Sequence, residues 1–153
     1  MARLLVVHHT TSPALHAMFT EVMAGATNGD IEGVEVIARP ALNTGVLDAL
    51  EADGYLLGTP ANIGYMSGAL KHFFDVVYYP CLQSTVRRPY ALYVHGNNDT
   101  TGAVRAVESI TTGLEWNRVQ KPVEVVGRPT TSDLAAYWEL GASVAAGLMM
   151  AAT

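Results

Sequence analysis

Residues 54–68 read Gly54-Tyr55-Leu56-Leu57-Gly58-Thr59-Pro60-Ala61-Asn62-Ile63-Gly64-Tyr65-Met66-Ser67-Gly68. Gly54 to Gly58 is a brief apolar run, too short for a helix and suited to a strand buried on both faces. Beyond the loop, Met66, Leu70, Phe73, Phe74 and Val77 recur at helical spacing. The stretch is a strand, a connection and a helix. The connection, from Thr59 to Ser67, is longer than most links of its kind, and long glycine-rich links usually have a function. Glycine there lets the backbone turn with positive φ and lets a flat ligand lie against it.

The same alternation extends outward in both directions. Leu4 to Val7 is a first buried strand, followed by Leu15, Met18, Phe19 and Val22 at helical spacing, with Asn28-Gly29 as a stop. Val34 to Ala38 is a second strand closed by Pro40, and a short helix follows over Val46 to Ala52. After the central unit come a fourth strand at Tyr90 to Val94 and a helix marked by Val104, Val107, Ile110 and Leu114. A fifth strand at Val123 to Val126 leads into a final helix with Leu134, Trp138, Gly141, Ala145 and Leu148 on one side. Apolar strands alternating with helices predict an α/β fold, a doubly wound five-stranded parallel sheet in the order 2-1-3-4-5. Ligands of such sheets bind beyond the carboxyl ends of the strands. The segments to inspect follow the first, third and fourth strands.

With 153 residues the chain is one domain, and with 50% hydrophobic and 15% charged residues it can fill a core, which excludes disorder. Its apolar stretches are interrupted well before about 18 positions, so no segment is expected to cross a membrane. A formal charge of −5 argues against a nucleic-acid binder. The lone Cys81 excludes internal disulfides and cysteine-rich metal sites, and is read as a plain small residue. A chain that enters a strand at once shows no export signal, which predicts a cytoplasmic protein.

The first loop, His8-His9-Thr10-Thr11-Ser12-Pro13-Ala14-Leu15, sets consecutive hydroxyls before a helix start, where backbone N–H groups and the macrodipole favour an anion. Ser12 suits an N-cap and Pro13 the first helical position, so the loop is either an anion site or only a well-capped helix. Adjacent strand residues point to opposite faces, so one of the two histidines turns toward the core or a helix and a metal site is not expected. The third loop, His95-Gly96-Asn97-Asn98-Asp99-Thr100-Thr101-Gly102, is polar; Asp99 or Thr100 could simply cap the next helix, and His95 could be structural or a proton donor.

Gly58-Thr59-Pro60, Gly64, Met66-Ser67-Gly68, Leu70-Lys71, Phe74 and Asp75 together resemble the flavin-loop signature of the flavodoxin-like family, closest to its NAD(P)H:quinone oxidoreductases and NADPH-dependent FMN reductases. Asp53 also falls where that family often has an aspartate. The resemblance implies a flavodoxin-like domain with FMN across the carboxyl ends of the strands. By that carry-over Thr10, Thr11, Ser12, Ala14 and Leu15 hold the phosphate. Pro60, Ala61, Asn62, Ile63 and Gly64 line the isoalloxazine, and His95, Gly96, Asn97, Asn98 and Asp99 flank its other edge. Pro13 stands where the family tends to have glycine and removes one backbone donor. Ile63 stands where an aromatic residue is usual.

The resemblance implies an oxidoreductase that passes electrons from NAD(P)H through FMN to a quinone or similar small acceptor, with His95, helped by Tyr65, as the only candidate acid. Two alternatives stand beside it: an FMN electron carrier without nicotinamide turnover, and a module of the same fold that has lost FMN or uses a deazaflavin. Trp116 and Trp138 are expected to be buried on helix faces. Gly141, Ala142, Ala145 and Ala146 form a small-residue face, expected to pack closely on the sheet, with a homodimer as the alternative.

Overall fold

The computed structural model describes residues 1–152. In chain order the elements are β1 (Ala2–His8), α1 (Pro13–Ala26), β2 (Val34–Pro40), a 3-10 turn (Ala41–Asn43), α2 (Val46–Glu51), β3 (Gly54–Asn62) and β4 (Tyr65–Met66). There follow α3 (Gly68–Cys81), β5 (Pro89–Gly96), α4 (Thr101–Gly113), β6 (Asn117–Arg118), β7 (Val123–Val126) and α5 (Thr131–Ala151). The sheet runs β2-β1-β3-β5, with β6 and β7 both on the outer edge of β5. All of these pairings are parallel. The expected order holds, but its fifth position is filled in two pieces. β6 pairs with Pro89 and Tyr90, β7 with Tyr93 to Gly96. Between them lies Pro122, which has no N–H to give the ladder.

The helices cap both faces of the sheet and make two cores. On one face Leu5, Val7, Tyr55, Leu57, Leu92 and Val94 meet α3 and α4, and Trp116 lies parallel to Tyr55 with ring centroids 3.9 Å apart. Trp116 is buried as expected, but it sits past the end of α4 rather than on it, and its indole N–H donates to Thr85 Oγ1 at 2.8 Å. On the other face Leu4, Val6, Leu56 and Tyr93 meet α1 and α5. Trp138 is only partly buried.

The small-residue face of α5 does its close packing against α1. A Cβ at Gly141 would stand 2.0 Å from the Val22 carbonyl oxygen, and one at Gly25 of α1 1.9 Å from that of Trp138. The two glycines let the backbones touch. Contrary to the expectation from sequence, α5 is, at 21 residues, long and apolar enough to cross a membrane by length and composition. Here its Tyr137, Leu140, Val144, Ala145 and Leu148 are buried in the core. The helices start on local signals: Ser12, Ser67 and Thr130 each accept from a backbone N–H in the first turn at 3.1 Å.

Candidate functional site

The carboxyl ends of β1, β3 and β5 converge on one edge of the sheet, and each continues into one of the segments singled out from sequence. The first, after β1, is rich in unused donors. Ser12 Oγ accepts the Leu15 N–H, and Thr10 Oγ1 lies 2.7 Å from His8 Nδ1. Among the described residues the backbone N–H groups of Thr10, Thr11, Ser12 and Ala14 have no acceptor, and the first turn of α1 carries no acidic residue. Thr11 is exposed, whereas Leu15, expected from sequence to hold the phosphate, is buried and has already given its N–H to Ser12 Oγ, so it adds nothing to the donor set. A set of unpaired N–H groups and hydroxyls at a helix start fits an acceptor-only anion such as a phosphate.

The second segment is not the irregular loop that its Thr-Pro and glycines predict. β3 runs on through Thr59, Pro60 and Ala61 to Asn62, then turns back, pairing Ala61 with Met66 and Asn62 with Tyr65. Thr59 Oγ1 fastens the base, accepting the Ser67 N–H at 3.0 Å and donating to the Pro60 carbonyl at 2.8 Å. Both turn residues have positive φ, Ile63 at 50° and Gly64 at 72°, as two-residue hairpin turns require. For glycine this is free; for a β-branched residue it is strained. Ile63 is also fully exposed. The hairpin leans on α4, where Gly102 admits it: a Cβ there would stand 2.0 Å from the Gly64 carbonyl oxygen.

The third segment starts later than expected, because His95 and Gly96 belong to β5. Gly96 lies against the hairpin, where a Cβ would be 3.2 Å from that of Ala61. Asn97 and Asn98 are exposed, and their backbone N–H groups have no acceptor among the described residues. Asp99 closes the start of α4, where its Oδ1 accepts from Thr101 N at 3.0 Å and Thr101 Oγ1 at 2.8 Å. Those hydrogen bonds hold its carboxyl below the usual range.

His95 is buried, and its Nε2 lies 2.7 Å from the Gly127 carbonyl oxygen. A carbonyl only accepts, so Nε2 carries a proton and donates it to Gly127. The ring lines a cavity of about 510 Å³ that joins the first and third segments, walled by Pro13, Ala14 and Ala17 of α1, Asn97, Leu134 and the 127–129 turn. Gly127, with φ 80°, and Arg128 belong to this edge but lie outside the three segments singled out from sequence, whereas Gly102 ends the third of those segments with no role assigned to it there. Gly127-Arg128-Pro129 could have been found by inspecting the connection after the fifth strand as well. Nothing in the sequence shows what Gly102 is for, because its neighbour across space is a turn 38 positions back (Gly64 to Gly102). A second cavity, about 620 Å³, is lined by Ala2, Asp53, Pro89 and Asn117 at the opposite edge, where such sheets do not bind their ligands. Asp53 itself accepts the Arg3 N–H there at 2.8 Å.

Known proteins share this fold. An archaeal flavodoxin matches with a TM-score of 0.78 at 18% identity, over 95% of this chain and 98% of that one. A WrbA-like flavodoxin from Agrobacterium tumefaciens matches at 0.77 and 18%, over 98% and 99%. Two-electron reduced Megasphaera elsdenii flavodoxin matches at 0.77 and 20%, over 94% and 98%. The fold is flavodoxin-like. In sequence, the chain is 35% identical to a flavodoxin of Aquifex aeolicus over 77 residues, which span 50% of this chain and 40% of that protein. No protein-family model matches the chain.

Proposed function

We propose that the protein is an FMN-dependent electron-transfer protein that takes reducing equivalents from NAD(P)H and delivers them to a quinone or similar small acceptor. The observation that carries the reading is the unsatisfied donor set of Thr10, Thr11, Ser12 and Ala14, at the sheet edge where flavodoxin-like folds take ligands. Bound FMN would supply the hydride-accepting and electron-passing chemistry. Thr10, Thr11 and Ser12 would hold its phosphate with hydroxyls and N–H groups, and the N–H of Ala14 would add to them. The hairpin from Pro60 to Gly64 would support the flavin ring. The N–H groups of Asn97 and Asn98 would face its pyrimidine edge, where fixed donors stabilise developing negative charge without reorganising.

His95 is assigned a supporting part. Its bond to Gly127 ties the end of β5 to the turn after β7 and so fixes the neighbouring donors. A direct proton from His95 would require the doubly protonated ring. Direct nicotinamide turnover is preferred over a pure carrier because neither Ala61 to Gly64 nor Gly96 to Asp99 contains an aromatic side chain to cover the ring. The turn itself would thereby leave room for a hydride donor, with Tyr65, exposed on the return strand, the aromatic side chain next to it. The test is anaerobic mixing of the FMN-loaded protein with NADH and with NADPH. Bleaching by either, with no partner protein added, supports turnover; a flavin that stays oxidised indicates the carrier.

A further inference from the structure

We propose that His8 is a positioning residue for the phosphate of bound flavin: through Thr10 it decides whether the first loop offers that phosphate a donor, which makes phosphate affinity follow the protonation of His8. The inference rests on the flavin reading above. Its basis is the 2.7 Å contact between His8 Nδ1 and Thr10 Oγ1, with the ring held against Phe19 of α1 at a centroid distance of 4.1 Å. One proton lies between those two atoms. If Thr10 gives it to Nδ1, the hydroxyl presents a lone pair to anything above it and repels an acceptor-only phosphate. If Nδ1 gives it to Thr10, the hydroxyl proton is free for the phosphate. The imidazolium has no other choice than to donate, and it adds a positive charge one hydrogen bond behind the loop.

The surroundings of His8 add little competing charge. His9, on its own loop, disfavours the protonated ring, and burial does so more strongly, so His8 sits below its ordinary pKa before ligand arrives. From α1 it meets Phe19. Its register partner on β2 is Pro40, preceded by Arg39, whose guanidinium is held by Asp48 at 3.1 Å. Its register partner on β3 is Gly58, over which lies the ring of Tyr93, whose buried hydroxyl has no partner among the described residues. Among the described residues no carboxylate acts on His8, so the phosphate is the anion the site would set near it. Binding and protonation then favour each other reciprocally, and FMN draws a proton onto His8.

The test compares wild type, His8→Asn and His8→Phe. Asn retains a donor near the Nδ1 position but cannot titrate; Phe retains the stack and loses the donor. FMN and riboflavin dissociation constants are measured from about pH 8 to about pH 5.5, with the apo melting temperature of each variant. The phosphate's own titration near pH 6 cancels in ratios, because all three proteins meet the same ligand. An opposite charge at such range moves a pKa by ~1–3 units, so FMN affinity of wild type relative to His8→Phe should rise about tenfold or more on acidification. His8→Asn should bind FMN more tightly than His8→Phe at every pH, and its affinity ratio to Phe should be flat. Riboflavin should show no such rise. Ratios that stay flat for wild type, with FMN still bound, overturn the role of His8 and leave the flavin reading standing. Failure of wild type to bind FMN at any pH overturns both.

Discussion

Ile63 holds a backbone conformation its side chain disfavours, with φ 50° and no compensating burial. Strain of this kind is kept at ligand loops more often than elsewhere. Ile63→Asn supplies a residue that tolerates this region, so apo stability should rise by about 1 kcal/mol, which is about 2–4 °C in melting temperature. At Gly64, φ 72° carries the same penalty for any side chain although the space around it is open. Gly64→Val should therefore weaken FMN binding roughly tenfold, with a smaller fall in apo stability. Unchanged affinity would mean that the turn does not touch flavin. His8 supplies the pH dependence at this scale. Burial, and then His9, lower its folded pKa below the unfolded 6.5. The unfolded chain then binds more protons, so this contribution to stability is complete above about pH 6.5 and is lost as pH falls through the lowered folded value. Apo melting temperature should fall less between about pH 7 and pH 5 in His8→Phe than in wild type. Gly64 was legible in the sequence because a glycine inside a connection, away from both the strand end and the helix start, marks a turn with positive φ. The left-handed Ile63 was not, because a β-branched side chain disfavours that conformation and so gives no sign of it.

Among the elements, the α1–α5 contact is the most demanding. Gly141 and Gly25 face carbonyl oxygens of the opposite helix, which are backbone and cannot swing aside. Gly141→Val should cost on the order of 1–3 kcal/mol or more in denaturant unfolding. Gly147 of the same helix has open space where its Cβ would go, so Gly147→Ala should stabilise by up to about 1 kcal/mol. Equal effects at the two positions would contradict the packing. The small-residue face of α5 was visible in the sequence, yet not its partner, since periodicity names a face and not what covers it. Strand and helix types were legible for the same reason that their ends were not. Thr59-Pro60 reads as a breaker, although β3 passes through it, because Pro60 sits beyond the most crowded part of the ladder and pairs only near the end of β5, with His95. The edge strand was read as one run because Asn117-Arg118 is too short and polar to show a period.

For the molecule as a whole, the sheet brings segments separated by more than eighty positions, from Thr10 to Asn97, to one edge. That convergence follows from strand order, and strand order was legible because parallel neighbours joined by short links admit few alternatives. The part of the edge contributed by the 127–129 turn and by Gly102 was not, since it depends on contacts between loops. A donor set built for a phosphate should bind flavin mainly through that group. Titration of the apo protein with FMN, riboflavin and FAD, followed by quenching of flavin fluorescence, measures this directly. The account predicts saturable quenching by FMN, affinity for riboflavin weaker by at least about tenfold, and a preference for FMN over FAD. Absent quenching, or equal affinity for FMN and riboflavin, would contradict it.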